Sequence, residues 1–276
     1  MLKERWIKYG VYLGLTILFA FVLFPFYWMV VTSLKPNEEI LSNQPTLIPR
    51  TIIFSHYITA WVQGRIGVYF RNSLIISALT VVLSFMAVVP AAFATSLYRL
   101  KGTQFISSFI LSLQMFPGVL LLIPLYILFA NYQLIDTYTA LVISYSTFTV
   151  PFCYLLTKSY FDGLSPELFE AARIDGCSDR GIFFKIALPL ITPGIMVISL
   201  FAFVLSWSDF MFARTFTNSE ATRTLTVGLS TLQGIWIVEW GPLMAASAIT
   251  TLPVLIIFSL ANKYIVQGLT AGAVKG

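Results

Sequence analysis

The sequence predicts an all-α integral membrane protein that crosses the bilayer six times, and three observations carry that reading. Hydrophobic residues make up 58% of the 276 and charged residues 11%, with a mean hydropathy of +0.84, far from the composition of a soluble globular chain. Six apolar runs, at about 10–31, 73–97, 105–129, 138–160, 186–207 and 242–262, are each long enough to cross a hydrocarbon layer of about 30 Å as a helix. Lys and Arg are placed asymmetrically between those runs: with the amino terminus in the cytoplasm, eleven of the 17 fall on the inner side. The net charge of +5 therefore reports topology, and no basic run with interleaved aromatics points to nucleic acid.

Taken in order, Lys3, Arg5 and Lys8 precede the first run, which ends in Phe24-Pro-Phe-Tyr-Trp28 without a small-residue cleavage site. It reads as a retained span rather than a signal peptide. Residues 32–69, with Pro36, Pro45, Pro49 and His56, read as an extracytoplasmic loop holding one interfacial helix. Ser144, Ser146, Thr147 and Thr149 interrupt the fourth run, and hydroxyls there pack between helices or line a polar path more readily than they face lipid. Prolines occur in or beside every span and bend helices by removing a backbone donor. The second outer loop spans 208–240, and its Thr222–Thr226 run with Gly228 suits an extended segment turning at glycine. The whole chain, 1–276, reads as one domain.

The longest polar interruption in the second half is the inner loop 161–185. Ser165 is placed to cap a helix, Pro166 suits the first helical position and Glu167 favours the positive end of the helix dipole. Leu164 and Phe169 have the spacing of a hydrophobic staple, and Gly176 ends the helix. Ser178 and Asp179 restart a second helix that runs into the apolar segment near Ala187. A bulky residue at Gly176 is expected to clash in the turn. The small Ala171 and Ala172 permit close approach to a partner.

Glu170-Ala171-Ala172, Asp175-Gly176 and Ile186-Ala187-Leu188-Pro189 together resemble the EAA signature of ABC importer permease subunits. Trp240-Gly-Pro-Leu-Met-Ala-Ala-Ser247 and the terminal Gly268–Gly276 run are similar to the shorter membrane subunit of the maltose-type carbohydrate permeases. Cys177 stands where alanine is usual in that family and is expected only to trim local packing. The resemblance implies a bacterial inner-membrane permease fold with a cytoplasmic coupling helix. The implied partners are a second permease subunit, two ATPase subunits that bind the ATP and Mg, an extracytoplasmic solute-binding protein, membrane lipid and a carbohydrate. It implies ATPase coupling through Glu170, Ala171, Ala172, Asp175, Gly176, Ile186, Leu188 and Pro189. It also implies that the tail, with Gly268, Leu269, Thr270, Ala271, Gly272 and Lys275, lies between the ATPases, and that the loop 209–239 reaches the binding protein.

The residues themselves supply no chemistry. No Gly-x-x-x-x-Gly-Lys-Ser/Thr run is present to cradle ATP, and one histidine with two scattered cysteines, Cys153 and Cys177, makes neither a zinc site of ordinary spacing nor a disulfide framework. The span interiors lack the ionisable residues that ion-coupled carriers place there, which weighs against a secondary carrier. A non-transporting membrane anchor is the remaining alternative. Gln114, Asn131, Trp207, Ser208 and Asp209 are candidates for a sugar path, weighed against interhelical hydrogen bonds and an interfacial tryptophan anchor.

Overall fold

The structure, a computed structural model, describes the backbone of residues 2–98, 100–233 and 238–273, and the side chains of 8–98, 100–233 and 238–264. Its helices are α1 (Leu2–Ser33), α2 (Asn37–Ile40), α3 (Ser55–Ile58), α4 (Ile66–Leu97), α5 (Thr103–Gln114), α6 (Leu122–Asn131) and α7 (Tyr138–Asp162). They continue with α8 (Pro166–Ile174), α9 (Asp179–Gly181), α10 (Leu188–Leu190), α11 (Thr192–Ser208), α12 (Met211–Phe216), α13 (Leu225–Thr231) and α14 (Trp240–Ala273). All secondary structure among the described residues is helical. That is the outcome bilayer physics requires, because a helix satisfies its backbone groups within one segment.

Among the described residues four helices, within α1, α4, α7 and α14, are long and apolar enough to span a membrane without a break. Two more spans are broken. The expected run 105–129 is α5 followed by Gly118–Asn131, bent by 89°, and the expected run 186–207 is Asp179–Leu190 followed by α11, bent by 74°. Prolines explain both: Pro117 has no N–H to continue the ladder of α5, and Pro189 and Pro193 flank the second bend. Pro25, Pro90, Pro151 and Pro253 instead lie inside continuous helices.

The chain divides into two compact units, residues 1–67 with 228–253 and residues 68–227 with 254–276. In the first unit α1 exposes most of its apolar surface, as Phe19 and Phe21 illustrate. The following segment is knit by buried polar groups. Lys35 Nζ donates to Thr46 O and lies 4.6 Å over the Trp28 ring, Glu39 accepts from Thr46 Oγ1 and the Arg50 N–H, and a His56 ring nitrogen bonds Lys35 O at 2.8 Å. α14 begins against this knot at Gly241, where a Cβ would sit 2.3 Å from His56 Nε2. The loop holds α2 and α3, the latter continued by a π-helical segment over Thr59–Gln63, where one interfacial helix was expected.

In the second unit α7 packs on α5, α11 and α12. Thr149 bonds Ser84 across to α4 at 2.7 Å, while Ser144 and Ser146 donate to the carbonyls four residues back in their own helix. The fourth span's hydroxyls therefore serve packing. α4 starts at Ile66, earlier than its hydropathy suggested, because Asn72 is satisfied by tertiary bonds to Tyr138 OH, Ala221 O and Arg223 O. At the far end of α4, Phe93 meets Phe161 at 5.5 Å, Phe169 at 6.3 Å and Phe183 at 5.0 Å, all at tilted or edge-on angles. Such contacts add to the burial of each ring. Phe93→Ala is expected to destabilise the protein by about 3–5 kcal/mol, measured as a lowered unfolding midpoint in detergent with the helix content unchanged.

Candidate functional site

α8 and the turn after it form the candidate site. Ser165 does not cap α8 by its side chain, as the sequence suggested; its hydroxyl donates to the Glu167 carboxylate instead, a charge-assisted bond that holds the Glu167 pKa below its usual value. Pro166 occupies the first turn as expected. Phe169 and Ala172 face inward and are both 7% exposed, packed with Phe93, Phe161 and Ile182. Leu164 joins the same cluster, consistent with the staple spacing. The opposite face shows Glu167, Glu170, Ala171 and Ile174, spaced i, i+3, i+4, i+7, to solvent. Ile174 is 86% exposed.

The two alanines thus have different roles. Ala172 lets α8 lie flat on its own chain, and Ala171 keeps the outer face low. Behind α8 an open cleft of about 600 Å³ is bordered by Glu170 and Arg173 and, across it, by the Lys158–Asp162 pair at 2.5 Å.

The turn is a Schellman motif. Gly176 has φ +82°, its N–H bonds Arg173 O at 3.0 Å, and the Cys177 N–H bonds Ala172 O at 2.9 Å. Cys177 packs against the same cluster as Ala172, which is the apolar contact that accompanies this motif. A Cβ on Gly176 would meet nothing within 4 Å. The first side-chain carbon thus meets no clash, and the demand for glycine at this point comes from the left-handed backbone.

Ser178 caps the next helix as expected, accepting from the Gly181 N–H at 3.2 Å. Asp179 accepts from Tyr98 OH at 2.7 Å and pairs with Arg173 at 3.4 Å. The Tyr98 bond, and after it Arg173, hold the Asp179 pKa below its usual value, and the same bond raises that of Tyr98. This link joins the end of α4, α8 and the helix that leads into α11. Phe93, Tyr98 and Ile174 have no place in the sequence-based expectations, and Asp179 appears there only as part of the helix restart. Only the exposed apolar Ile174 on a polar face carried a local signal.

Ile186 and Leu188 are half-buried in the cluster under α8, and the Pro189 carbonyl accepts from Thr192 Oγ1 at 2.8 Å at the 74° bend. Asp175 is exposed at the end of α8. Gly268, Leu269, Thr270, Ala271 and Gly272 lie in the last turns of α14, so the backbone is helical as far as Ala273, and Lys275 lies outside the described residues.

The sugar-path candidates occupy separate situations. Trp207 is 3% exposed, stacked on Phe203 at 5.3 Å and edge-on to Phe70 at 5.5 Å. Ser208 bonds Val204 O in its own helix. Asp209 accepts from Tyr145 OH and from the Ala213 N–H, each at 3.0 Å. Gln114 and Asn131 are exposed at the ends of α5 and α6.

α7, 25 residues and hence about 37 Å long, puts a second loop at the end opposite α8. There Asp136, at φ +64°, accepts from the Asn218 and Ser219 N–H groups and from Thr222 Oγ1. Partial burial works to raise its pKa, but these donors outweigh it and bring it to about 2. Leu225–Thr231 is helical through Gly228, so the expected extended segment turning at that glycine does not form. The Leu225 N–H is anchored by Ser73 Oγ at 2.8 Å, a tertiary contact with no sequence signal.

Residues 87–271 match the family described as binding-protein-dependent transport system inner membrane component. The chain is 37% identical to the inner membrane ABC transporter permease protein YcjP of Escherichia coli (strain K12), over 99% of each chain. It is 35% identical to the trehalose/maltose transport system permease protein MalG of Thermococcus litoralis, over 96% of this chain and 95% of that one. Its fold matches a chain in the crystal structure of a bacterial ABC transporter involved in the import of the acidic polysaccharide alginate, with a TM-score of 0.82 at 22% identity, covering 95% of this chain and 98% of that one. The chain belongs to the binding-protein-dependent transport system inner membrane component family, and it is a multi-pass permease subunit of an ABC importer.

Two substitutions probe the site. Gly176→Leu costs about 1–2 kcal/mol in the left-handed turn and is expected to reduce transport-coupled ATP hydrolysis in the assembled transporter, whereas Gly176→Asn, tolerated in that conformation, retains most of it; equal activity in both would refute the conformational account. Tyr98→Phe removes an exposed hydrogen bond, so the unfolding midpoint should hold while the ratio of substrate moved to ATP hydrolysed falls.

Proposed function

We propose that this subunit translocates a carbohydrate delivered by an extracytoplasmic binding protein, and that α8 is the element through which partner ATPases drive it. The observation that carries the coupling role is the outer face of α8, where an isoleucine 86% exposed sits one turn from Glu170 and Ala171 on a helix locked to its own spans from behind. An apolar side chain held out so far on a rigid platform is suited to a partner surface. The carbohydrate assignment is supported by the relative named for trehalose and maltose.

In this reading the transporter contains a second permease, two ATPases that hold ATP and Mg, and the binding protein. The inner loop 161–185 and both termini are cytoplasmic, and the loop strapped by Asp136 faces the binding protein. Asp175 and Gly176 end the coupling helix abruptly so that its outer face enters the ATPase cleft, while Ile186, Leu188 and Pro189 carry its movement into the fifth span.

The test is uptake into proteoliposomes containing the assembled transporter. Oligosaccharide uptake should require both ATP and the binding protein; uptake driven by an ion gradient without ATP would overturn the reading. Deleting 269–276 should leave membrane insertion intact and impair coupling, and wild-type transport by the truncated complex would show that the tail plays no part.

A further inference from the structure

The segment that closes the long loop of the first unit is built inside out. α3 runs directly into the π-helical turn Thr59–Gln63, and its inner face carries small and polar residues. His56 is buried against Gly241 and bonded to Lys35 O, and Ala60 is fully buried. Gly64 follows so closely that a Cβ there would sit 2.7 Å from Ala60 O and 3.0 Å from Leu232 Cδ2. The outer face carries the large apolar residues: Phe54, Ile58 and Val62 are each 65% exposed and Trp61 is 45% exposed. Their spacing, i, i+4, i+7 and i+8, makes one stripe of a helix. A helix on a protein surrounded by water turns such a stripe inward.

Where the stripe lies along α14 decides what covers it. His56 lies against α14 at Gly241, next to its first residue, whereas Tyr57, Ile58, Trp61 and Val62 border an open groove of about 330 Å³ together with Ile249. Gly241 and Ile249 are eight residues apart in the helix, about 12 Å at 1.5 Å per residue. α14 is apolar enough to span a membrane from Trp240 onward. The stripe therefore stands beside the span itself, past its first turns, and continues the surface that the span shows to the membrane. The Tyr57 hydroxyl is taken up by Ser33 Oγ at 2.8 Å, which leaves the tyrosine ring as groove wall.

Residue size separates lipid from protein as the cover. Helices that pack on one another inside a membrane meet through small residues, which let the backbones approach. Here Ala60 and Gly64 face the chain's own packing, and Gly67 makes room for the Trp61 ring, whose Cε2 is 2.8 Å from where a Cβ of Gly67 would lie. The outer stripe has no small residue. Large aliphatic side chains beside a tryptophan are the composition of a surface lying in the lipid interface.

We propose that residues 54–63 form an interfacial anchor, with the outer stripe immersed in the upper acyl-chain layer of the bilayer and the groove at Ile249 holding a length of phospholipid acyl chain. The ligand is recognised by its hydrocarbon and not by headgroup charge. The sequence placed an interfacial helix somewhere in 32–69; the geometry adds which residues enter lipid, by which face and at what depth. The anchor sets the height of the first unit in the bilayer, a role separate from the carbohydrate reading.

Spin labels test this in the assembled transporter, reconstituted in phosphatidylcholine vesicles, with the native Cys153 and Cys177 replaced by alanine. Single cysteines are introduced as Ile58→Cys, Val62→Cys and, at an exposed loop position serving as the aqueous reference, Asn43→Cys. Power saturation compares collisions with oxygen, which partitions into lipid, and with a nickel chelate, which stays in water. Labels at 58 and 62 should meet oxygen several times more often than the chelate, the label at 43 should show the reverse, and mixing in phosphatidylglycerol should leave the contrast unchanged. Chelate access at 58 and 62 equal to that at 43 would put the stripe in water. Low access to both reagents with an immobilised spectrum would put it under a partner subunit, and a contrast that appears only with phosphatidylglycerol would make headgroup charge the cause. Each of these outcomes overturns the assignment. Trp61→Phe gives a check without introduced cysteines: lipid brominated near the top of its acyl chains should quench a larger fraction of the wild-type fluorescence than of the variant's, and equal quenching would defeat the anchor.

Discussion

The ring of Phe93 is the point on which the α8 end of the second unit turns. It is reached from the end of α7 by Phe161, from α8 by Phe169 and from the helix that follows by Phe183. Aromatic rings packed edge to face resist sliding more than aliphatic chains do, because their preferred geometry is directional. A short helix of nine residues would be marginal on its own. Seated on this cluster, it becomes a rigid extension of the spans, and force applied to its outer face has no local slack in which to dissipate.

Around that apolar seat the polar contacts are few and exposed. The Arg173–Asp179 pair has side chains 44% and 54% exposed, so it contributes little stability of its own. What it adds, together with Tyr98, is direction: three elements are held in one register at a point where the Schellman turn reverses the chain. Apolar packing sets how firmly α8 sits, and the exposed hydrogen bonds set how it is aimed.

The opposite end of α7 follows other rules. Asp136, Asn72 and Ser73 bind backbone groups of residues 218–225 directly, so that loop is shaped by side-chain acceptors and donors rather than by a hydrophobic seat. A surface tied through its backbone can vary its outward side chains without losing its form.

The sequence by itself determined the class and much of the site. Its apolar runs and sparse charge required a helical membrane protein, since only helices and closed barrels satisfy their backbone in lipid, and Pro166, Gly176 and Ser178 placed α8 and its turn because capping and left-handed geometry are local properties. Tertiary structure decided the rest. Whether a proline bends a span depends on what packs beside it: Pro117 stands at an 89° break, while Pro90 and Pro151 sit in unbroken helices. That Ala172 is buried and Ala171 exposed, that Ser165 bonds Glu167 instead of capping, and that Asp209 is held by Tyr145 are all facts of residues distant in sequence or of competing partners. Local rules fix what a residue is able to do, and only the assembled neighbours fix which of those things it does.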